Sequence, residues 1–108
     1  MKIEEFIRLS ERQITAYSLA LQALWYDYKD NWHKSHKLID AESDRDSAWV
    51  HAYLHRKEGD LWNARYWYRR SGRSESNSSL EEERSQIASA LLSVANLEND
   101  PPDEVRSL

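Results

Sequence analysis

The sequence predicts an all-α protein of five or six helices arranged as antiparallel helical hairpins, and three observations carry that expectation. Two glycines and two prolines in 108 residues leave little punctuation for a many-turned β protein, whereas alanine, leucine, glutamate and arginine, all strong helix formers, are plentiful. Apolar residues recur at three- and four-residue spacing. Finally, "KDNWHKSHKLI" (29–39) lies over "EGDLWNARYWY" (58–68) at a shift of 29 residues, with Trp32 on Leu61, Ser35 on Ala64, Leu38 on Trp67 and Ile39 on Tyr68. A unit of helix, tight turn and helix is therefore used twice.

Taken in order, residues 3–9 form a short helix with Ile3, Phe6 and Ile7 on one side. "SERQ" has the capping-box form, Ser10 at the N-cap and Gln13 three residues on. It starts a helix carrying Ile14, Tyr17, Leu21, Leu24 and Tyr28 as one stripe and ending near residues 29–31. A shorter, more polar helix runs from Trp32 to Ala41. Ser43 caps the next, with Asp44 and Asp46 in a first turn that favours negative charge. That helix reaches Glu58, and Gly59 is its left-handed terminator. Asp60 caps a helix from Leu61 to Ser71, which Gly72 ends. "SESNSS" (74–79) is a polar loop. Ser79, with Glu82 three residues later, caps a last helix whose buried stripe is Leu80, Ile87, Leu91 and Val94 beside Ala88 and Ala95. Residues 1–98 make a single domain, and 99–108, after "NDPP", a flexible acidic tail.

The net charge of −4 is unevenly spread. Residues 56–73 hold six basic and two acidic side chains, and residues 74–108 hold two basic and eight acidic ones. Such a pair of segments either takes an anionic partner or neutralises itself internally. No cysteine is present, which excludes disulfides and thiolate metal sites. "MKIEEFIRLSERQ" lacks the apolar run of a secretory signal, and no stretch approaches the roughly 20 apolar residues that span a bilayer. The expectation is a soluble, cytoplasmic protein with no membrane partner.

The string A-x6-G-D-x3-A-x3-Y-x2-S, from Ala52 through Gly59, Asp60, Ala64 and Tyr68 to Ser71, resembles a tetratricopeptide hairpin. In that family small residues let two helices approach closely and an aromatic fills the space beyond. The shift of 29 residues is shorter than that family's repeat of about 34, and its usual proline after the second helix is absent. Trp32–Arg73 also resembles, more closely, a group of small uncharacterised bacterial proteins, and that resemblance implies no activity.

All four histidines, His33, His36, His51 and His55, fall in one region. His51 and His55 share a helical face, with Glu58 three residues on. The spacing is that of two-histidine zinc helices without the intervening general-base glutamate. A zinc site would need a third ligand, from His36 or Glu58, and would make the protein a metal-dependent hydrolase. The alternative is that Ala48, His51 and His55 simply face inward, where Ala52 packs on Ala64, and bond to core groups.

Trp62, Arg65, Tyr66 and Arg69, with Arg73 at the edge, form a second candidate, an open face that the core does not require. Arginine beside aromatics can grip single-stranded nucleic acid, but a pI near 5.5 weighs against it. A protein or peptide partner of acidic character suits the face better, and a second copy of the chain is another possible occupant. No nucleophile or phosphate-cradling loop is evident, and Asp27, Asp30, Asp40 and Glu42 fit solvated helix ends. The expectation is a non-catalytic interaction or assembly module that needs no cofactor.

Overall fold

The computed structural model describes residues 1–99, which form seven helices and no strand: α1 (Ile3–Ile7), α2 (Glu11–Ile14), α3 (Leu19–Tyr28), α4 (Trp32–Ile39), α5 (Arg45–Lys57), α6 (Leu61–Ser71) and α7 (Leu80–Asn99). Of the expected tail, 99–108, Asn99 is the last residue of α7 and the remainder lies outside the described residues. The helix count exceeds the expected five or six because the helix starting at Ser10 breaks in two. The amides of Thr15, Ala16 and Tyr17 bond to carbonyls three residues back, at 3.4, 3.3 and 3.0 Å, a tightening that ends a helix. Ser18 Oγ then accepts from the Leu21 amide at 3.2 Å and starts α3 afresh. The apolar stripe survives the break, since Ile14 and Leu21 are both buried.

The other starts and stops follow their local chemistry. Ser10 and Gln13 form the reciprocal capping box, Asp60 accepts from the Asn63 amide, and Ser79 pairs reciprocally with Glu82. Gly59 and Gly72 sit at φ +86° and +75°. One cap moves by a residue. Asp44, not Ser43, accepts from the Ser47 amide at 3.0 Å and starts α5.

The two hairpins, α3–α4 and α5–α6, repeat each other in backbone detail. Asn31 N–H donates to Tyr26 O and Asp60 N–H to His55 O, each at 2.9 Å. Asn31 and Asp60 are both N-caps, and the residues before them, Asp30 at φ +60° and Gly59 at φ +86°, are both left-handed. Small residues lie at the helix crossings: Ala23 faces a core with Ser35, whose hydroxyl donates to Ala23 O at 2.6 Å, and the equivalent Ala52 and Ala64 are 0% and 2% exposed in one buried cluster. Asp30 is the one non-glycine residue with positive φ among those described. Asp30→Gly is therefore expected to stabilise the fold by about 0.5–1 kcal/mol, and Gly59→Ala to destabilise it by about 1 kcal/mol, in urea denaturation. A methyl group at Gly59 would meet no atom within 4 Å, so backbone conformation alone sets that cost.

Helix α7 packs across α1, α3 and α5 with Ile87, Ala88, Leu91 and Leu92 buried. The expected stripe is corrected here: Val94 is 48% exposed, and Leu92 takes its place inside. The ridge runs through 80, 83–84, 87–88 and 91–92, the drift of a 3.6-residue helix against a flat surface.

Two buried carboxylates hold α7 in place. Asp27, fully buried, accepts from Tyr53 Oη at 2.7 Å, Lys57 Nζ at 2.9 Å and Arg84 Nη1 at 3.3 Å. Glu83, 1% exposed, accepts from Arg56 Nη1 at 2.8 Å and from the Tyr68 hydroxyl. Arg56 also donates to the Ser78 carbonyl in the polar loop. Burial, with the adjoining carboxylate, pushes both tyrosine hydroxyls upward in pKa, so each remains a donor. Asp27 is thus no solvated helix end, contrary to the sequence expectation. It is the centre of a network joining three helices.

Candidate functional site

The fold brings three histidines to one point. His36 projects from α4, and His51 and His55 lie one turn apart on α5. One ring nitrogen of each lies within 4.8 Å of those of the other two, and His51 Nε2 and His36 Nε2 are 3.0 Å apart. At that distance the facing nitrogens of two neutral rings can hold at most one proton between them. Nδ1 of His51 is buried and meets no partner.

Aromatic rings fix the cluster. Trp32 stacks on His36 at 4.8 Å and 7°, and its Nε1–H donates to the Leu54 carbonyl at 3.0 Å, which anchors the indole. Trp67 stacks on His51 at 4.0 Å and 18°, while His51 and His55 stack on each other at 4.8 Å. His55 Nδ1 lies 2.7 Å from Glu58 Oε1. That carboxylate is suited to hold the proton on Nδ1 and leave Nε2 with a free lone pair. Glu58 is therefore placed against His55, outside the trio. Asp40, the C-cap of α4, sets Oδ1 3.8 Å from His36 Nε2 with its own side chain 65% exposed. His33, the fourth histidine, is exposed and packs edge-on to Trp32 instead.

Burial and the neighbouring His36 and His55 lower the His51 pKa to about 4, with Asp40 opposing weakly. His36 is lowered too, chiefly by burial. Unfolded, the His51 ring would titrate near 6.5. Between pH 6.5 and 4 the unfolded chain binds the proton and the folded one does not, so stability is full above 6.5 and declines as pH falls. With a chelator present, that decline is expected to reach about 2–3 kcal/mol by pH 4 from this ring, and His51→Phe to flatten it in urea melts at stepped pH.

The second candidate lies on the outer face of α6. Trp62 is 81% exposed and Tyr66 44%. With Asn63, Arg65 and Arg69 they line a surface cavity of about 300 Å³. Four of the five residues expected at this face are thus together. Arg73 is not: past the left-handed Gly72 its guanidinium lies 3.8 Å over the Trp49 ring, in a separate cavity against the 74–78 loop. Arg70, not anticipated, leans over Tyr66 and Trp67 at 5.7 and 5.5 Å. Leu61, at the first position of α6, is 51% exposed.

Comparison with family models, with curated proteins and with solved structures finds no match to this chain. Among the described residues no helix is long and apolar enough to cross a membrane. Sequence reasoning missed the contributions of Asp40, Trp32 and Trp67 to the histidine cluster. The pattern was present: Trp32, His36 and Asp40 follow at intervals of four along α4, the same interval as His51 and His55 on α5.

Proposed function

We propose that this protein is a binding module that receives an acidic segment of a partner protein on the Trp62–Arg69 face of α6. The observation that carries the reading is Trp62, a large indole left 81% exposed beside Arg65 and Arg69. The basic 56–73 segment is only partly answered from within. Arg56 pairs with Glu83 and Lys57 with Asp27, and Arg65 meets Glu75 at 3.5 Å in an exposed, weak pair. Among the described residues Arg69 and Arg70 meet no carboxylate within ion-pair distance. An indole flanked by arginines matches the composition of binding hot spots, and the free positive charge selects an acidic partner. The chain's overall charge of −4 disfavours nucleic acid at this face.

Selection from a library of Asp- and Glu-rich peptides carrying one apolar anchor tests the reading. Peptides of that class should bind, and Trp62→Ala or Arg69→Glu should weaken them by at least about tenfold. Failure to select any such peptide, or affinity unchanged in both variants, would overturn it. So would self-association abolished by Trp62→Ala, which would make a second copy the occupant. Tight single-stranded oligonucleotide binding with a steep salt dependence would equally count against an acidic partner.

A further inference from the structure

We propose that His36, His51 and His55 together bind one divalent transition-metal ion of the zinc class, which ties the α3–α4 hairpin to the α5–α6 hairpin. This goes beyond the docking face and does not depend on it. Two helices from different hairpins supply the three imidazoles, and their nitrogens are gathered within 4.8 Å of one another. A tetrahedral zinc ion with bonds of about 2.0–2.1 Å sets its ligand atoms about 3.3 Å apart. The His51–His36 separation of 3.0 Å is already near that spacing, and so is the 3.8 Å between His36 Nε2 and Asp40 Oδ1. Asp40 stands beside His36 at the more exposed side of the trio, outside the group of mutually close ligand atoms, where its carboxylate offsets part of the ion's charge and leaves the fourth position to water.

The surroundings are those of a metal-binding histidine set. Glu58, 2.7 Å from His55 Nδ1, is the outer carboxylate that fixes a ligand's tautomer and raises its basicity. Trp32 and Trp67 stack against His36 and His51, so the rings are held in place before an ion arrives and little ordering is left to accompany binding. Three imidazoles, with no thiolate, suit zinc, cobalt or nickel and disfavour calcium and magnesium, which take oxygen ligands. A purely structural cluster has weaker grounds here. Two imidazoles facing nitrogen to nitrogen at 3.0 Å satisfy each other only once, whereas an ion between them engages both lone pairs.

The test uses the full chain, stripped with EDTA and titrated with zinc chloride and cobalt chloride. One ion per chain should bind with a dissociation constant of about 1 µM or tighter. Cobalt should give the intense visible absorption of a tetrahedral site, and either ion should change the tryptophan fluorescence through Trp32 and Trp67. Zinc should also raise the melting temperature. His36→Gln and His55→Gln change partly exposed side chains and should leave helicity intact while weakening zinc at least tenfold. Glu58→Gln should weaken it by about 10–100-fold, and Trp62→Ala should have no effect. Absence of saturable one-to-one binding by the folded wild type would overturn the proposal. So would undiminished affinity in His36→Gln and His55→Gln, or a weak octahedral cobalt spectrum.

Discussion

Replacing Asp27 with alanine is expected to destabilise the protein by about 3–4 kcal/mol, the largest effect of any single carboxylate among the described residues. The substitution leaves the Tyr53 hydroxyl without its acceptor and strands two cations, Lys57 and Arg84, beside the core. Breaking a buried pair by deleting one member costs about 3–5 kcal/mol, because the remaining charge is left uncompensated. The lower part of that range applies here, since the side chains of Lys57 and Arg84 are 30% and 20% exposed and can turn partly to water. Lys57→Ala should cost only about 1 kcal/mol, because Asp27 keeps Arg84 and Tyr53. Asp27→Asn, which retains an acceptor for Tyr53, should fall between them. Urea denaturation of the three variants checks the order, and an Asp27→Ala protein as stable as the parent would show that the network does not hold α7.

Leu92→Ala is expected to cost about 2–4 kcal/mol, while Val94→Ala two residues away should change stability by less than about 0.5 kcal/mol. Leu92 is 2% exposed among the residues that α7 presses on the hairpins, and Val94 is 48% exposed. Truncating a buried leucine loses both its transfer free energy and the packing around the void it leaves. An exposed valine on a helix has neither to lose. Equal effects would mean that α7 is rotated from the orientation described, and the ion pairs of Glu83 and Arg84 would then need reassignment.

Much of the fold was legible because it is written in local chemistry. Gly59, Gly72, Asp60, Ser79 and the Ser10–Gln13 pair act on neighbours within three residues, and a reader of the chain has those neighbours in view. The helix break at Thr15–Ser18 was hidden because the apolar stripe passes through it undisturbed. The α5 cap was ambiguous because Ser43 and Asp44 are both competent acceptors, and only the geometry of the entering chain decides between them. Asp27 was misread for a different reason. A carboxylate on a helix looks solvated until its partners are known, and here they lie 26, 30 and 57 residues further along. The candidate sites divide in the same way. The Trp62–Arg69 face follows from helical spacing on α6 alone. His51 and His55 share a face for that reason too, but the arrival of His36 depends on how α4 docks against α5, which no local rule fixes. Arg73 was misplaced because the left-handed turn at Gly72 redirects the chain toward Trp49.

The long sequence separation between Asp27 and Arg84, 57 residues, has a kinetic consequence. Each hairpin closes over a three-residue turn, so its contacts form with little loop-closure entropy to overcome. The clasp of α7 joins residues much further apart in the chain, and the surface it covers is made by α3 and α5 together. The expected order of assembly is hairpins first, latch last. In reverse, the same order makes α7 the first element to peel away, with its amides exchanging hydrogen ahead of those in α5.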